Sequence, residues 1–453
     1  MDNYYNSSEF KEILSRYEDA KKKNVGIYID CDDLVDIAEY YYDKDDLTSA
    51  EEVTNYAIEM FPGSALPLSF KARLELLAHG NSQRAEEILK AVDDKNNVEY
   101  HYIKAEILIN KNEKEEADNY LENAYQHIDP NDKPDFLLDV ASMFADYDAV
   151  DISEKWLKRS NETDLLDYQE ILGRILLSKG KYKESEKVFN HLLDKNPYSN
   201  TYWNILASVQ FMANDISSSI KSSEFSLAID PNNQEALLNK ANGLYNLGNF
   251  KDALTYYRKY VQQCPKDEVG ETFLGITLLN LDNLEEAVKH LKKAETLAKA
   301  QDGNLLDIYQ ELAFTLSRLG KFEEAINYVD KTKDLDCDHD EMNVLKGHIL
   351  LENDHMEEAN VCFNKAIEHS KSAPYIILRI AISLYDNNII PLAYRLLRNM
   401  YDNNKDTTFY EGYPYLAKCC HDLGYMKEFE KYKKLALKLA PQQAGLILGN
   451  LAK

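Results

Sequence analysis

Glycine, proline, cysteine pairs, basic charge and long apolar runs are all in short supply in this chain. Glycine (16) and proline (11) account for few of its 453 residues, and no Ser-, Pro- or Gly-rich stretch interrupts it. That leaves no flexible linker between separately folding parts, so one elongated domain is expected. The six cysteines (31, 264, 337, 362, 419 and 420) show no repeated spacing and no Cys-x-x-Cys. A disulfide framework is therefore excluded, and reduced thiols in a cytosol are expected. Lys and Arg number 52 against 78 Asp and Glu, a net charge of −26. Such a surface repels phosphate, because nucleic-acid binding draws on cationic side chains that replace counterions. DNA, RNA and anionic membrane surfaces are thus not expected as partners. The charge serves solubility on one reading and an acidic groove for a basic peptide on another. The most apolar window, Tyr375–Tyr385, carries Arg379 and is too short to span a bilayer. The first residues, MDNYYNSSEFKEIL, have neither a basic start nor an apolar run. A soluble, cytoplasmic protein is expected.

Motifs that carry chemistry are also missing. No HExxH, GxSxG or GxxxxGK[ST] occurs. Asp334, Asp336, Asp338 and Asp340 alternate as in a calcium loop, but the sixth and twelfth places hold His339 and Leu345 instead of Gly and Glu. An acidic loop that caps the following helix is the better reading. Cys419, Cys420 and His421 are adjacent, which spreads them about 100° apart on a helix instead of converging them on one metal. No catalytic residue, metal site or cofactor is expected.

What the chain does have is a repeat, clearest at 200–233. Ala207 is followed by Asn214 seven residues on, Ser219 twelve on and Ser226 nineteen on, and Pro231 closes the unit. Apolar residues recur at helical intervals on both sides of Asn214, which predicts helix, turn, helix, stop. The same ruler finds twelve copies, anchored at Ala38, Arg73, Ala105, Ala141, Gly173, Ala207, Ala241, Gly275, Ala313, Gly347, Ala381 and Ala417. Seven after each anchor stands Gly, Asn or Asp: Asp45, Gly80, Asn112, Asp148, Gly180, Asn214, Gly248, Asp282, Gly320, Asp354, Asn388 and Gly424. These residues enter the left-handed conformation at least cost and end a helix in a tight reversal. Twelve after each anchor the residue is Ala or Ser, except at Phe429 in the last copy. Small residues at two fixed points let two antiparallel helices approach closely.

This pattern resembles the tetratricopeptide repeat, with its aromatic in the second helix (Phe189, Tyr257, Phe363) and closing proline (Pro62, Pro197, Pro231, Pro265, Pro441). The resemblance covers residues 31–441 and departs locally at Arg73, at Phe429 and in the weakly marked unit at 135–165. It implies an all-α, right-handed superhelix of about twelve helix-turn-helix repeats, a tetratricopeptide solenoid. A capping helix in residues 1–30 (from about Ser8 to Lys22) and a short helix in 442–453 are expected at the two ends. A longer step at 298–305, where Gln301, Asp302, Gly303 and Asn304 favour turns, marks a loop and a candidate hinge, and 402–408 a second longer loop. The apolar tail with Leu446, Ile447, Leu448 and Leu451 either folds back or meets a partner chain.

The resemblance further implies ligand binding on a concave face lined by the first helix of each pair, at six and three residues before each anchor and one and four after it. Eight of the twelve residues six before an anchor are acidic: Asp32, Glu99, Asp135, Asp167, Glu235, Asp307, Glu341 and Glu411. There they complement the positive end of the helix or form an acidic rim. In the centre, Asn204, Ser208, Phe211, Asn242 and Tyr245 fall together, with Asn246 and Asn280 beside them. Carboxamides that both donate and accept, next to flat aromatic faces, suit an extended peptide backbone; a merely wet surface is the alternative. No basic residue stands three before any anchor, so the clamp by which some members of the family hold a free carboxylate is absent. The expected function is a non-enzymatic scaffold for an extended peptide or partner helix. An accessory or substrate-presenting subunit of a separate enzyme, or a peptide-sensing regulator, is the alternative.

Overall fold

The computed structural model describes residues 2–5, 7–23, 25–44, 46–301, 304–403 and 408–452. Among them every regular element is a helix, and the chain divides into two compact units, Met1–Asp215 and Ile216–Lys453.

The first unit opens with α1 (Asp2–Tyr5) and α2 (Ser8–Lys23), followed by the pairs α3 (Cys31–Asp43) and α4 (Leu47–Met60), α5 (Ala65–Leu77) and α6 (Ser82–Leu89), and α7 (Val98–Asn110) and α8 (Lys114–Tyr125). The pairs α9 (Lys133–Asp146) and α10 (Val150–Leu157), then α11 (Leu166–Ser178) and α12 (Tyr182–Lys195), lead to α13 (Asn200–Met212). The second unit begins with α14 (Ile216–Ile229), then α15 (Gln234–Asn246) and α16 (Phe250–Gln263), α17 (Glu268–Asn280) and α18 (Leu284–Gln301), and α19 (Leu305–Arg318) and α20 (Phe322–Lys331). It ends with α21 (His339–Glu352) and α22 (Met356–His369), α23 (Pro374–Asp386) and α24 (Ile390–Asn403), α25 (Tyr413–Asp422) and α26 (Met426–Leu439), and α27 (Pro441–Leu448). Each unit is a solenoid of helix pairs.

The corners are set by backbone chemistry. Gly80, Asn112, Asp148, Gly180, Asn214, Gly248, Asp282, Gly320, Asp354, Asn388 and Gly424 all have positive φ, between 51° and 77°. The expected corner at Asp45 lies outside the described residues. At these corners, Gly80 apart, the residue that follows donates to a carbonyl five residues back, as Lys181 N does to Leu176 O (2.9 Å) and Asn249 N to Leu244 O (2.9 Å); after Gly80, Asn81 N reaches six back to Glu75 O (2.8 Å). This satisfies a helix-end carbonyl while the chain reverses.

The seams are set by size. Ala38 and Ala50, Ala105 and Ala117, Ala241 and Ala253, and Ala313 and Ala325 are all fully buried. In two copies a serine as the second small residue reports the contact directly: Ser153 Oγ donates to Ala141 O (2.6 Å) and Ser185 Oγ to Gly173 O (2.7 Å). Both hydroxyls are buried and would be costly to leave unpaired. The second pair departs from the ruler. Its fully buried small residue is Ala72, and Arg73 points instead to Glu106. The corner after α5 carries one extra residue, which displaces the anchor counted back from Gly80.

The extension at 298–305 is largely helix. α18 continues to Gln301, because Leu291, Ala294 and Ala298 repeat at helical spacing and are fully buried. Asn304 then caps α19 through Leu306 N (3.1 Å), while positions 302–303 lie outside the described residues, as do 404–407 of the loop at 402–408. At one end Phe10, Tyr17 and Ala20 of α2 are buried, and Phe10 packs on Tyr40 of α3 with ring centroids 5.3 Å apart. At the other, α27 packs on α25 and α26 through Ala444 and Leu448 and leaves Leu446 85% exposed.

Candidate functional site

First helices of successive pairs lie side by side, α3, α5, α7, α9 and α11 in the first unit and α17, α19, α21 and α23 in the second. Their shared face is tied together by side chains about one repeat apart. In the first unit Arg73 donates Nε and Nη2 to the two carboxylate oxygens of Glu106 (3.1 and 2.9 Å), and Tyr102 donates to Asp139 (2.7 Å). In the second, Asn280 donates to Tyr245 Oη (3.2 Å), Ser317 to Glu352 (2.6 Å), and Ser383 Oγ lies 3.0 Å from His348 Nδ1.

On this face of the second unit lies a cavity of about 480 Å³. Ile276, Leu279, Phe314, Leu345 and Ile382 give it apolar lining, and Tyr245, Asn280, Gln310, Glu311, His348 and Asp386 bring polar atoms. The repeat explains the lining. Ile276, Phe314, His348 and Ile382 each follow a small anchor (Gly275, Ala313, Gly347, Ala381). The anchor faces the seam with the second helix, and one residue further the helix has turned by about 100°, toward the cavity.

Several charges in the lining are already engaged. Arg318 donates to Leu279 O (3.4 Å) and Asp282 (2.9 Å), and Arg379 stands 3.9 Å from Glu341. His348 stacks on Phe314 (6.3 Å, 21°) and reaches Glu352 through Nε2 at 3.4 Å. Burial pushes the Glu352 carboxyl up, but the hydrogen bonds from His348 and Ser317 outweigh it and hold the group below the usual range. Glu311 and Asp386 differ. Burial pushes Glu311 up and Asp307 adds to it; burial also raises Asp386, against the pull of His348 and Lys418.

Ser383, His348 and Glu352 line up as a nucleophile, base and acid would. Ser383, however, sits inside α23, where helix N–H groups are taken by carbonyls four residues back, so the backbone there offers no N–H to an oxyanion. What the trio does is tie α21 to α23.

Of the seven residues singled out from the sequence, Tyr245 and Asn280 line the cavity. Asn242 is committed elsewhere, since its Oδ1 accepts from the fully buried Tyr257 hydroxyl at 2.6 Å. Asn246 is exposed and not in the lining. Asn204 is only 3% exposed, Ser208 and Phe211 are half-buried, and all three belong to the first unit. The lining residues missed include Ile276, Glu311, Phe314, Leu345, His348, Ile382 and Asp386. The signal for several of them is present in the sequence: Ile276, Phe314, His348 and Ile382 stand one after an anchor, a position assigned to the groove, whereas the asparagines at groove positions cluster in the centre of the chain.

The acidic residues six before an anchor take up helix starts: Asp32, Glu99, Asp135, Asp167, Glu235, Asp307 and Glu341 sit in first turns. Glu411 precedes α25. In the aspartate-rich loop Asp338 caps α21 by accepting from Asp340 N (2.9 Å) and Glu341 N (3.2 Å). Cys419 and Cys420 are buried, and burial pushes both thiols up to about 12. Among the described residues no group of His, Cys, Asp or Glu could hold a metal, and no helix is long and apolar enough to cross a membrane.

Family models of the tetratricopeptide repeat match residues 98–126, 234–267, 272–301, 306–336 and 340–371. Nothing among curated proteins matches the sequence. Similar solved structures include the Cut9–Hcn1 hetero-tetramer of the APC/C, 17% identical, covering 84% of this chain and 75% of that one with a TM-score of 0.45. PilF of Pseudomonas aeruginosa is 17% identical over 48% of this chain and 94% of its own, with a TM-score of 0.40. YrrB, described as a TPR protein with an unusual peptide-binding site, is 16% identical over 42% and 95%, with a TM-score of 0.36.

Proposed function

This chain is a tetratricopeptide repeat protein, an all-α interaction scaffold, and on that premise we propose that it holds an extended segment of a partner protein on the first-helix face of its second unit. The cavity of about 480 Å³ carries this reading. It has the size of a pocket that encloses a few side chains, and it joins an apolar lining to a small number of placed polar groups. Phe314 and Tyr245 offer flat contact at low cost in side-chain entropy. The helix-borne lining is fixed by seams and side-chain links before any ligand arrives, which lowers the ordering cost of binding. A peptide in extended form presents alternate side chains at regular spacing, which suits a row of parallel helices.

Panning a phage-displayed library of random dodecamers on the full chain tests the reading. Wild type should enrich a set of peptides, and the Tyr245→Ala/Phe314→Ala double variant should lose them while its helicity by circular dichroism stays unchanged. Equal enrichment on both proteins would remove the cavity as the binding site.

A further inference from the structure

Within this cavity the charges do not balance. Arg318 is taken by Asp282 and the Leu279 carbonyl, and Arg379 stands against Glu341. Glu352 is met by His348 and Ser317. Among the described residues no Lys, Arg or His comes within ion-pairing distance of Glu311 or Asp386, although both line the cavity. Glu311 also has Asp307 one helical turn before it, a second negative group on the same side of α19. Glu311 is half-buried, and a carboxylate held so at an apolar lining without a cation is costly unless a partner brings one; Asp386 is exposed at the edge of the same lining.

We propose that the cavity of the second unit receives a lysine or arginine side chain of the bound peptide, with Glu311 meeting its cationic head. The proposal deepens the peptide-binding reading and rests on it. Ile276, Phe314 and Leu345 give the aliphatic stem of such a side chain apolar contact. The rings of Phe314 and Tyr245 present faces that attract a cation. Asp386 lies on the same lining and favours a second positive group in the ligand, and the −26 charge of the whole chain draws basic segments toward it over longer distances. The burial that raises Glu311 and Asp386 in the free protein would be offset once a cation arrives. The same charge pattern excludes an acidic peptide, which would set its carboxylates against Glu311 and Asp386.

The dodecamer selection decides between these outcomes when read by composition. Peptides enriched on wild type should share a Lys or Arg at a fixed place, and Glu311→Gln should lose that preference. A synthetic peptide from the selection, titrated calorimetrically, should weaken roughly tenfold on Glu311→Gln or when its Lys is replaced by norleucine. Replacing both at once should add little to either change. Enriched peptides without a fixed cation, or a Glu311→Gln protein that binds as wild type does, would overturn the cation assignment and leave peptide binding intact. Enrichment that the Tyr245→Ala/Phe314→Ala variant retains would overturn both.

Discussion

The ring of Phe363 fills the place a methyl group on Gly347 would need: Cε1 lies 2.4 Å from where that Cβ would stand. The two residues belong to the facing helices α21 and α22, and Gly173 meets Phe189 (2.6 Å) in the same way. Small size at the anchor is thus a steric requirement of the seam, with the aromatic of the second helix as the other half. Gly347→Ala is expected to destabilise the second unit by about 1–3 kcal/mol through overpacking. Phe363→Leu in the same chain should recover part of that loss. Urea unfolding midpoints of the two single variants and the double variant measure the coupling.

Asn388 turns the corner between α23 and α24 with φ of 62°. Asn388→Gly should be neutral or nearly so, since glycine occupies this region freely. Asn388→Val should cost about 1–2 kcal/mol, the strain of a β-branched residue in left-handed backbone. Thermal melts of the two variants separate a conformational requirement from a role for the carboxamide itself, which would make both substitutions costly.

Glu39 of α3 is pushed up to about 7 from 4.5, by burial first and then by Asp36, Asp43 and Glu99, against the pull of Arg73. The folded chain therefore keeps a proton between these two values that the unfolded chain has released. Stability from this group is full below pH 4.5 and lost as pH rises through 7. Glu39→Gln should raise the melting temperature at pH 8, by the equivalent of about 1–3 kcal/mol, and the gain should shrink as pH falls toward 5. A gain that does not depend on pH would place the effect elsewhere than in this ionisation.

Asn242 accepts the hydroxyl of the buried Tyr257. Asn242→Ala should cost about 1–3 kcal/mol by orphaning that hydroxyl, and Tyr257→Phe in the same chain should restore most of it. Peptide binding should be unchanged in the double variant.

Much of the architecture was legible from the sequence because it is written in local terms. A corner residue acts within one turn of its own helix, and Gly180, Asn214 and Asp282 declare themselves by type. A seam residue acts at a fixed offset, so Ser153 and Ser185 could be placed before their bonds to Ala141 and Gly173 were seen. The ruler failed where an insertion shifted the count, at Arg73, and where burial overrode turn chemistry, at Ala298–Gln301. The groove was less legible. Asparagines at the right offsets suggested a site in the centre, but an offset gives only the face of a helix. What a side chain meets there comes from another repeat, as Tyr245 meets Asn280 and Ser317 meets Glu352.

By itself the sequence determined the period, the reversals and the close seams, because steric size and left-handed backbone act over a dozen residues or fewer. The tertiary structure alone decided which carboxylates found a cation and which were left facing the cavity, as Glu311 and Asp386 are. Charges on this face are matched across helices some thirty-five residues apart, and desolvation depends on what those neighbours exclude.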